Sequence, residues 1–349
     1  MARRTIEISR NPAHLAISRG QLLIIPKDPG DERSSRHGRD HGEGAVRLAA
    51  SPDRTSLATL RNRIPAEDIG LLVVDHIQTT YTHSVLATLV ASGAAVVICG
   101  DDHLPVGLLL PMSSHTEQVW RVADQIDCST VLRKQLWQRL VRAKIEAQAR
   151  NLSPDTPQRA TLTALARRVR SGDAGNLEAQ GARIYWQALF PPTANWRFKR
   201  SPGSGHDATP PNNLLDYGYA ILRAAVARAL VGAGLMPVIG IQHSNRSNAF
   251  CLADDLVEPL RPMIDRRVKR LFEAGRVALD QPTKAELLLV LTASVQTGVG
   301  DSTTVGPLDA ALTRYAASLA QSYANGQVEL LIPLESESSA PKLSTTERQ

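Results

Sequence analysis

Apolar positions in the first hundred or so residues fall in short, strand-like runs. Residues 5–9 alternate, and residues 15–25 carry two short apolar runs about Ser18-Arg19-Gly20-Gln21, a turn signal that predicts a hairpin. Residues 69–75 (IGLLVVD) and 94–99 (AAVVIC) are short buried strands. They flank a helical piece with Leu86, Leu89 and Val90 on one side. Such a strand-helix-strand unit invites a nucleotide-binding reading. The glycine fingerprint of a dinucleotide site or P-loop is absent, which argues against it.

Beyond residue 112 a helical period dominates. Residues 120–150 predict one or two helices with Leu132, Leu136, Leu140 and Ile145 inward; Arg133, Lys134, Arg139, Arg142 and Lys144 are expected outside. A break at 151–157 precedes a basic helix over 161–170. The next helix has Glu178 in its first turn and ends at Phe190-Pro191-Pro192. Residues 213–231 predict a long helix, capped by asparagine and stopped by Gly232 and Gly234, whose Gly218, Ala220, Ala224 and Ala225 suit close packing. A helix over 253–274 follows, distorted early by Pro259 and Pro262, and then helices over 284–295 and 308–323. Residues 335–349 are Ser, Glu, Thr and Lys with almost no apolar content and read as a disordered tail.

Composition narrows the class. The chain has 349 residues, 43% of them hydrophobic, enough for one large or two ordinary domains with a sizeable core. A net charge of +6 permits a polyanionic partner without requiring one. Cys99, Cys128 and Cys251 are odd in number and widely spaced, so they read as thiols in a reducing cytosol rather than as a disulfide frame or zinc site. The opening MARRTIEIS has no signal-peptide core, and no apolar run reaches membrane-spanning length. The expectation is a cytoplasmic protein with no membrane partner.

Candidate chemistry concentrates in residues 239–265, IGIQHSNRSNAFCLADDLVEPLRPMID. His243 ends an apolar run, Arg246 sits in the polar loop after it, and Asp255 and Glu258 lie three apart on one face of the following helix. A histidine near paired acids suits a divalent cation, although acids at a helix start also serve as caps. Three other stretches compete. Gly100-Asp101-Asp102-His103 reads as a turn after a strand, and His37 and His41 fall in a polar, glycine-rich hairpin loop over 27–44. The loop after Phe190 interleaves Arg197, Lys199 and Arg200 with Trp196 and Phe198, a pattern that can hold phosphate and stack bases, or be an ordinary surface loop.

Four blocks in order decide between these readings. They are E-A-x-x-A-R-x-Y-W from Glu178, N-N-L-L-D-Y-G-Y-A-I-L over 212–222, G-I-Q-H ending at His243, and D-L-V-E-P-L-R-P over 255–262. This order resembles the CRISPR-associated integrase, the metal-dependent catalytic subunit of spacer acquisition, over most of the chain. The N-terminal block and the HLPVGLLLP bridge over 103–111 look most like the type II versions found beside the large RNA-guided nuclease.

The resemblance implies an α+β fold: an N-terminal β-sandwich-like dimerisation domain over 1–105, a linker over 106–112, and a larger all-α catalytic domain over 113–334. It matches Glu178, His243 and Glu258 to the ligands of Mg²⁺ or Mn²⁺, although some branches place Asp where Glu258 stands. Asp255 takes a supporting role on the same helix. Arg183 and Arg246 become the candidates for the scissile phosphate, with Arg197, Lys199 and Arg200 as further DNA contacts. The implied partners are double-stranded DNA (a spacer duplex and a CRISPR repeat), a second copy of the chain, a small companion subunit, and the RNA-guided effector nuclease. The implied reaction is attack of a DNA 3′-hydroxyl on a phosphodiester, with endonuclease activity alongside. A structure-selective nuclease on branched DNA and a non-catalytic DNA-binding scaffold are the competing functions.

Overall fold

A computed structural model describes residues 3–27, 63–112, 115–201, 209–298 and 303–335. The expected loop with His37 and His41 lies outside them, as does all of the expected tail after Glu335. The N-terminal part contains β1 (Arg4–Ile8), β2 (Ala13–Ser18), β3 (Gln21–Pro26), β4 (Arg63–Pro65), β5 (Ile69–Val74), β6 (Thr80–Tyr81), α1 (His83–Ala91), β7 (Ala95–Cys99) and β8 (Pro105–Leu109). The hairpin joins β2 to β3 through Arg19 and Gly20, with φ of 52° and 73°. Positive φ at both central residues gives the turn the twist that a two-residue hairpin needs.

These strands form two four-stranded sheets, β1-β5-β7-β8 and β4-β3-β2-β6. In the first, β1, β5 and β7 run parallel and β8 returns antiparallel. β5 is buried along its whole length. Its alternate side chains therefore serve two cores. Leu72 and Val74 join Ile6, Leu15, Leu22, Val85 and Leu89 in the N-terminal core, while Leu71 and Val73 join the main helical core. The strand-helix-strand unit of β5, α1 and β7 is thus real, and it acts as packing scaffold.

The helical part contains α2 (Gln118–Ile126), α3 (Thr130–Arg150), α4 (Pro157–Arg168), α5 (Leu177–Leu189), α6 (Asn212–Gly232), α7 (Cys251–Val257), α8 (Arg261–Glu273) and α9 (Gln281–Leu288). β9 (Ser294–Thr297), β10 (Thr304–Pro307), α10 (Leu308–Asn325) and β11 (Leu334–Glu335) complete it. Ser129 caps α3 by accepting the Leu132 N–H at 3.1 Å, and Thr156 caps α4 with Pro157 at its first position. α6 runs through the centre against α7, α8 and α10. A Cβ on Gly218 would come within 2.6 Å of Ile264 Cγ2 on α8, so the predicted small-residue contact is made there.

Four expectations are corrected. Residues 105–109 of the bridge form β8, paired to β7, because the apolar PVGLL continues the sheet rather than spanning a gap. The helical part is not all-α: β9, β10 and β11 form a three-stranded antiparallel sheet, and Val295 belongs to β9 instead of a helix. No asparagine side chain caps α6; the Asn212 carboxamide accepts from Arg200 and from the Ser201 N–H and donates to the Lys199 carbonyl. Glu335 is a strand residue paired with Arg266 and Arg267, two cations on α8 that draw it out of the expected tail.

Buried charges bind the two parts together. The Asp75 carboxylate at the end of β5 accepts from Lys284 on α9, with both side chains at most 3% exposed. His103 Nδ1 lies 3.0 Å from the same carboxylate, so the His103 cluster is part of a structural turn. Asp309 on α10 pairs with Arg228 on α6 at 2.5 Å and accepts the Arg3 N–H of the first strand region at 3.3 Å. Among the described residues no helix is long and apolar enough to cross a membrane.

Candidate metal centre

Glu178 is placed by the start of α5. The backbone enters this helix through Asn176 in a left-handed conformation, φ 48°, with no side-chain cap of its own. Asp173 supplies the cap from outside, accepting the N–H groups of Leu177 at 2.9 Å and Glu178 at 3.0 Å. Glu258 stands where the next acidic helix breaks. Pro259 and Pro262 cannot donate to the helical ladder, so α7 passes into α8 through a single 3₁₀ turn, Glu258–Leu260. The two carboxylates, eighty residues apart in sequence, meet at one ammonium: Lys144 Nζ lies 2.6 Å from Glu178 Oε1 and 2.5 Å from Glu258 Oε2.

Lys144 is a correction to the sequence reading. It was expected on the outer face of its helix, but it is 8% exposed and projects from α3 into the site. Burial drives its pKa down, but the Coulomb attraction of Glu258 and Glu178 outweighs that and holds it above its ordinary value. Glu258, 4% exposed at its side chain, would likewise be pushed up by burial, yet Arg261 and Lys144 hold it below the usual carboxylate range. Arg261 Nη2 lies 3.2 Å from Glu258 Oε1, and its guanidinium sits 4.9 Å over the Tyr219 ring. Glu258 Oε2, the other oxygen, is taken up by the Lys144 ammonium.

His243 is fixed by Asp255. One oxygen of this fully buried carboxylate accepts the N–H groups of Ile241 at 2.6 Å and Gln242 at 3.0 Å; the other meets the His243 N–H at 3.2 Å and Nδ1 at 2.6 Å. That hydrogen bond raises the His243 pKa, with burial opposing it. With Nδ1 committed to Asp255, Nε2 is the ring nitrogen left for a metal, the arrangement in which a carboxylate orients an imidazole ligand. Trp137, two turns before Lys144 on α3, meets the imidazole edge-on at 6.0 Å. The loop needs Gly240: a Cβ there would overlap the His243 carbonyl and come within 3.0 Å of Asp255 Oδ2.

The predicted triad is thus half assembled. Glu178 and Glu258 converge, and His243 is near enough for its charge to act on Glu258. Among the described residues, however, no three His, Cys, Asp or Glu side chains stand together as a ready metal cage. An ammonium lies between the carboxylates where a cation would sit. The donor set of two buried or half-buried carboxylates and one imidazole fits a hard or borderline divalent ion.

Of the predicted DNA contacts, Arg183, Arg197, Lys199 and Arg246 are exposed. Arg200 is used inside the fold, 2.5 Å from Asp216 and 3.0 Å from Asn212 Oδ1, with its guanidinium 5.4 Å from the Tyr219 ring centre. Trp196 and Phe198 pack with Trp186, Phe190 and Phe272, which favours the structural reading of that loop over base stacking. Lys144 escaped the sequence reading, yet one signal was present: its position continues the apolar stripe of Trp137, Leu140 and Val141. A lysine on the inward stripe of a helix needs a buried anionic partner.

Comparison with known proteins shows the family. Residues 53–297 match the family described as CRISPR associated protein Cas1. The chain is 41% identical over 226 residues to the CRISPR-associated endonuclease Cas1 of Neisseria meningitidis, covering 64% of this chain and 69% of that protein. Two solved structures share its fold. One is a casposase bound to integration product, at TM-score 0.64 and 14% identity over 94% of this chain and 92% of that one. The other is a Cas6-RT-Cas1–Cas2 complex, at TM-score 0.66 and 16% identity over 95% of this chain and 36% of that one. The chain belongs to the Cas1 family.

Proposed function

We propose that this protein is a divalent-metal-dependent DNA endonuclease and integrase that joins short foreign duplexes to a CRISPR repeat. The observation that carries this reading is the convergence of Glu178 and Glu258, from separate helices, on one cation position beside an imidazole oriented by Asp255. Glu178, Glu258 and His243 Nε2 would hold Mg²⁺ or Mn²⁺. When bound, such an ion polarises the phosphodiester and offsets charge at the pentavalent phosphorus.

The remaining roles fall to the chain's own groups. Asp255 keeps the imidazole in one tautomer and one orientation. Arg261 shares Glu258 and adds fixed positive charge next to the position of the reacting phosphate. Exposed Arg183 and Arg246 hold the DNA backbone, with Arg197 and Lys199 further out. In the joining reaction a 3′-oxygen bonds to phosphorus, the bond to the target strand's 3′-oxygen breaks, and that oxygen leaves as a new 3′-hydroxyl.

The partners belong to the same proposal: duplex DNA, a second copy of this chain docked through the N-terminal sheets, and a small companion subunit. The family and the fold shared with the Cas1–Cas2 complex support the companion subunit. The bridge motif supports a link to the RNA-guided effector nuclease.

The test is strand transfer on a branched DNA that mimics a half-integrated spacer, run with Mn²⁺, Mg²⁺ or EDTA on wild type, Glu178→Ala and His243→Ala. Metal-dependent rejoining of the target strand, lost in both variants, is expected. Cleavage without rejoining would instead identify a nuclease of branched DNA. Binding with no chemistry under any metal would identify a scaffold.

A further inference from the structure

Lys144 lies at the centre of this site, and the proposed reaction does not employ it. Its Cα is fixed on α3, a capped helix of 21 residues. Its ammonium reaches two carboxylates at once, donating a hydrogen bond to Glu178 at 2.6 Å and lying 2.5 Å from Glu258 Oε2. Arg261 occupies the other oxygen of Glu258. Two carboxylates thus face two cations, and these four side chains balance in charge. A divalent ion entering this balanced, mostly buried cluster would meet both the occupied oxygens and the repulsion of the ammonium.

The two cations differ in how they could yield. Arg261 is held by Glu258 and by the face of Tyr219. Lys144 is a point charge on four methylenes and can swing aside without moving α3. Glu178 is 28% exposed at its side chain, so solvent reaches the cluster from that side and offers the ammonium a way out.

Building on the metal-site reading above, we propose that Lys144 is a resident counter-cation. It holds Glu178 and Glu258 together when no metal is bound, competes with the divalent ion for both, and thereby sets the metal concentration the protein requires. It is a positioning residue. Its removal should have opposite effects on the metal-free fold and on metal affinity: the unbalanced carboxylates repel one another without metal, and attract metal more strongly because nothing competes.

The experiment is calorimetric titration of the full-length chain with Mn²⁺, alongside thermal melting in EDTA and in Mn²⁺, on wild type, Lys144→Met, Lys144→Gln, Lys144→Arg and Glu258→Gln. Lys144→Met and Lys144→Gln should melt lower than wild type in EDTA, gain more from Mn²⁺, and bind it roughly tenfold tighter. Lys144→Arg, which keeps the charge, should bind Mn²⁺ no more tightly than wild type. Lys144 as a merely structural residue predicts the reverse, weaker Mn²⁺ binding in the neutral variants. Unchanged or weaker binding there, with wild-type binding still lost in Glu258→Gln, would overturn the counter-cation role and leave the metal site standing. Wild-type binding that Glu258→Gln does not diminish would overturn both.

Discussion

Asp255 Oδ1 lies 2.6 Å from His243 Nδ1, and the same side chain accepts the N–H groups of residues 241, 242 and 243. One buried carboxylate therefore shapes the loop and aims the ring it carries. Asp255→Asn places an amide NH₂ against groups that all donate. The variant should bind Mn²⁺ about 10–100-fold more weakly and lose roughly 1–3 kcal/mol of stability. Calorimetry and chemical denaturation read these separately. Unaltered Mn²⁺ affinity would remove Asp255 from the site.

Gly240 gives a sharper steric test. Its missing Cβ makes room for the His243 carbonyl and the Asp255 carboxylate. Gly240→Ala should abolish most DNA strand transfer while circular dichroism stays native, because the severest overlap is with the His243 carbonyl of the loop rather than with a helix backbone. Activity within twofold of wild type would mean that the loop tolerates displacement and that His243 need not be held.

Asp265 predicts a pH dependence. Complete burial raises its carboxyl from 3.8 to about 7, against the opposing hydrogen bonds from Tyr219 and Tyr185. Between those values the folded chain keeps a proton that the unfolded chain releases. The contribution is therefore full below about pH 4, falls as pH rises toward 7, and is flat above that. In Asp265→Asn this dependence disappears, so wild type should lose ground to the variant between about pH 4 and pH 7 in denaturant titrations. A constant difference across that range would contradict the assignment.

Lys284→Met tests the seam between the N-terminal sheet and the helices. It takes the ammonium from Asp75, 2% exposed, and leaves His103 at 3.0 Å and the Cys99 thiol beside it. Removing one partner of a buried ion pair costs about 3–5 kcal/mol. The double variant Lys284→Met with Asp75→Leu should recover much of that loss. Absence of recovery would show that Lys284 stabilises the seam by packing alone.

How much of this was legible beforehand depends on whether a property is local. A short continuous apolar run located β5, and the turn at Arg19-Gly20 located the hairpin, because both are properties of a few neighbouring residues. Helical periodicity found α3, α5, α6 and α10 to within a few residues. The motif blocks singled out Glu178, His243, Asp255 and Glu258. The spacing of Asp255 and Glu258 suggested two acids facing one way, but they act separately: Asp255 turns to the His243 loop and Glu258 to Lys144.

Tertiary structure alone decided what each buried charge meets. Lys144 and Arg200 read as solvent-facing cations until Glu178 with Glu258, and Asp216, came to stand opposite them. Glu335 read as tail until Arg266 and Arg267 drew it into β11. PVGLL read as a bridge until β7 offered it an edge. A sequence period determines which face of an element a side chain occupies, by geometry internal to that element. A charge is buried only if a distant segment supplies its counter-charge, and the energy that decides this is between segments.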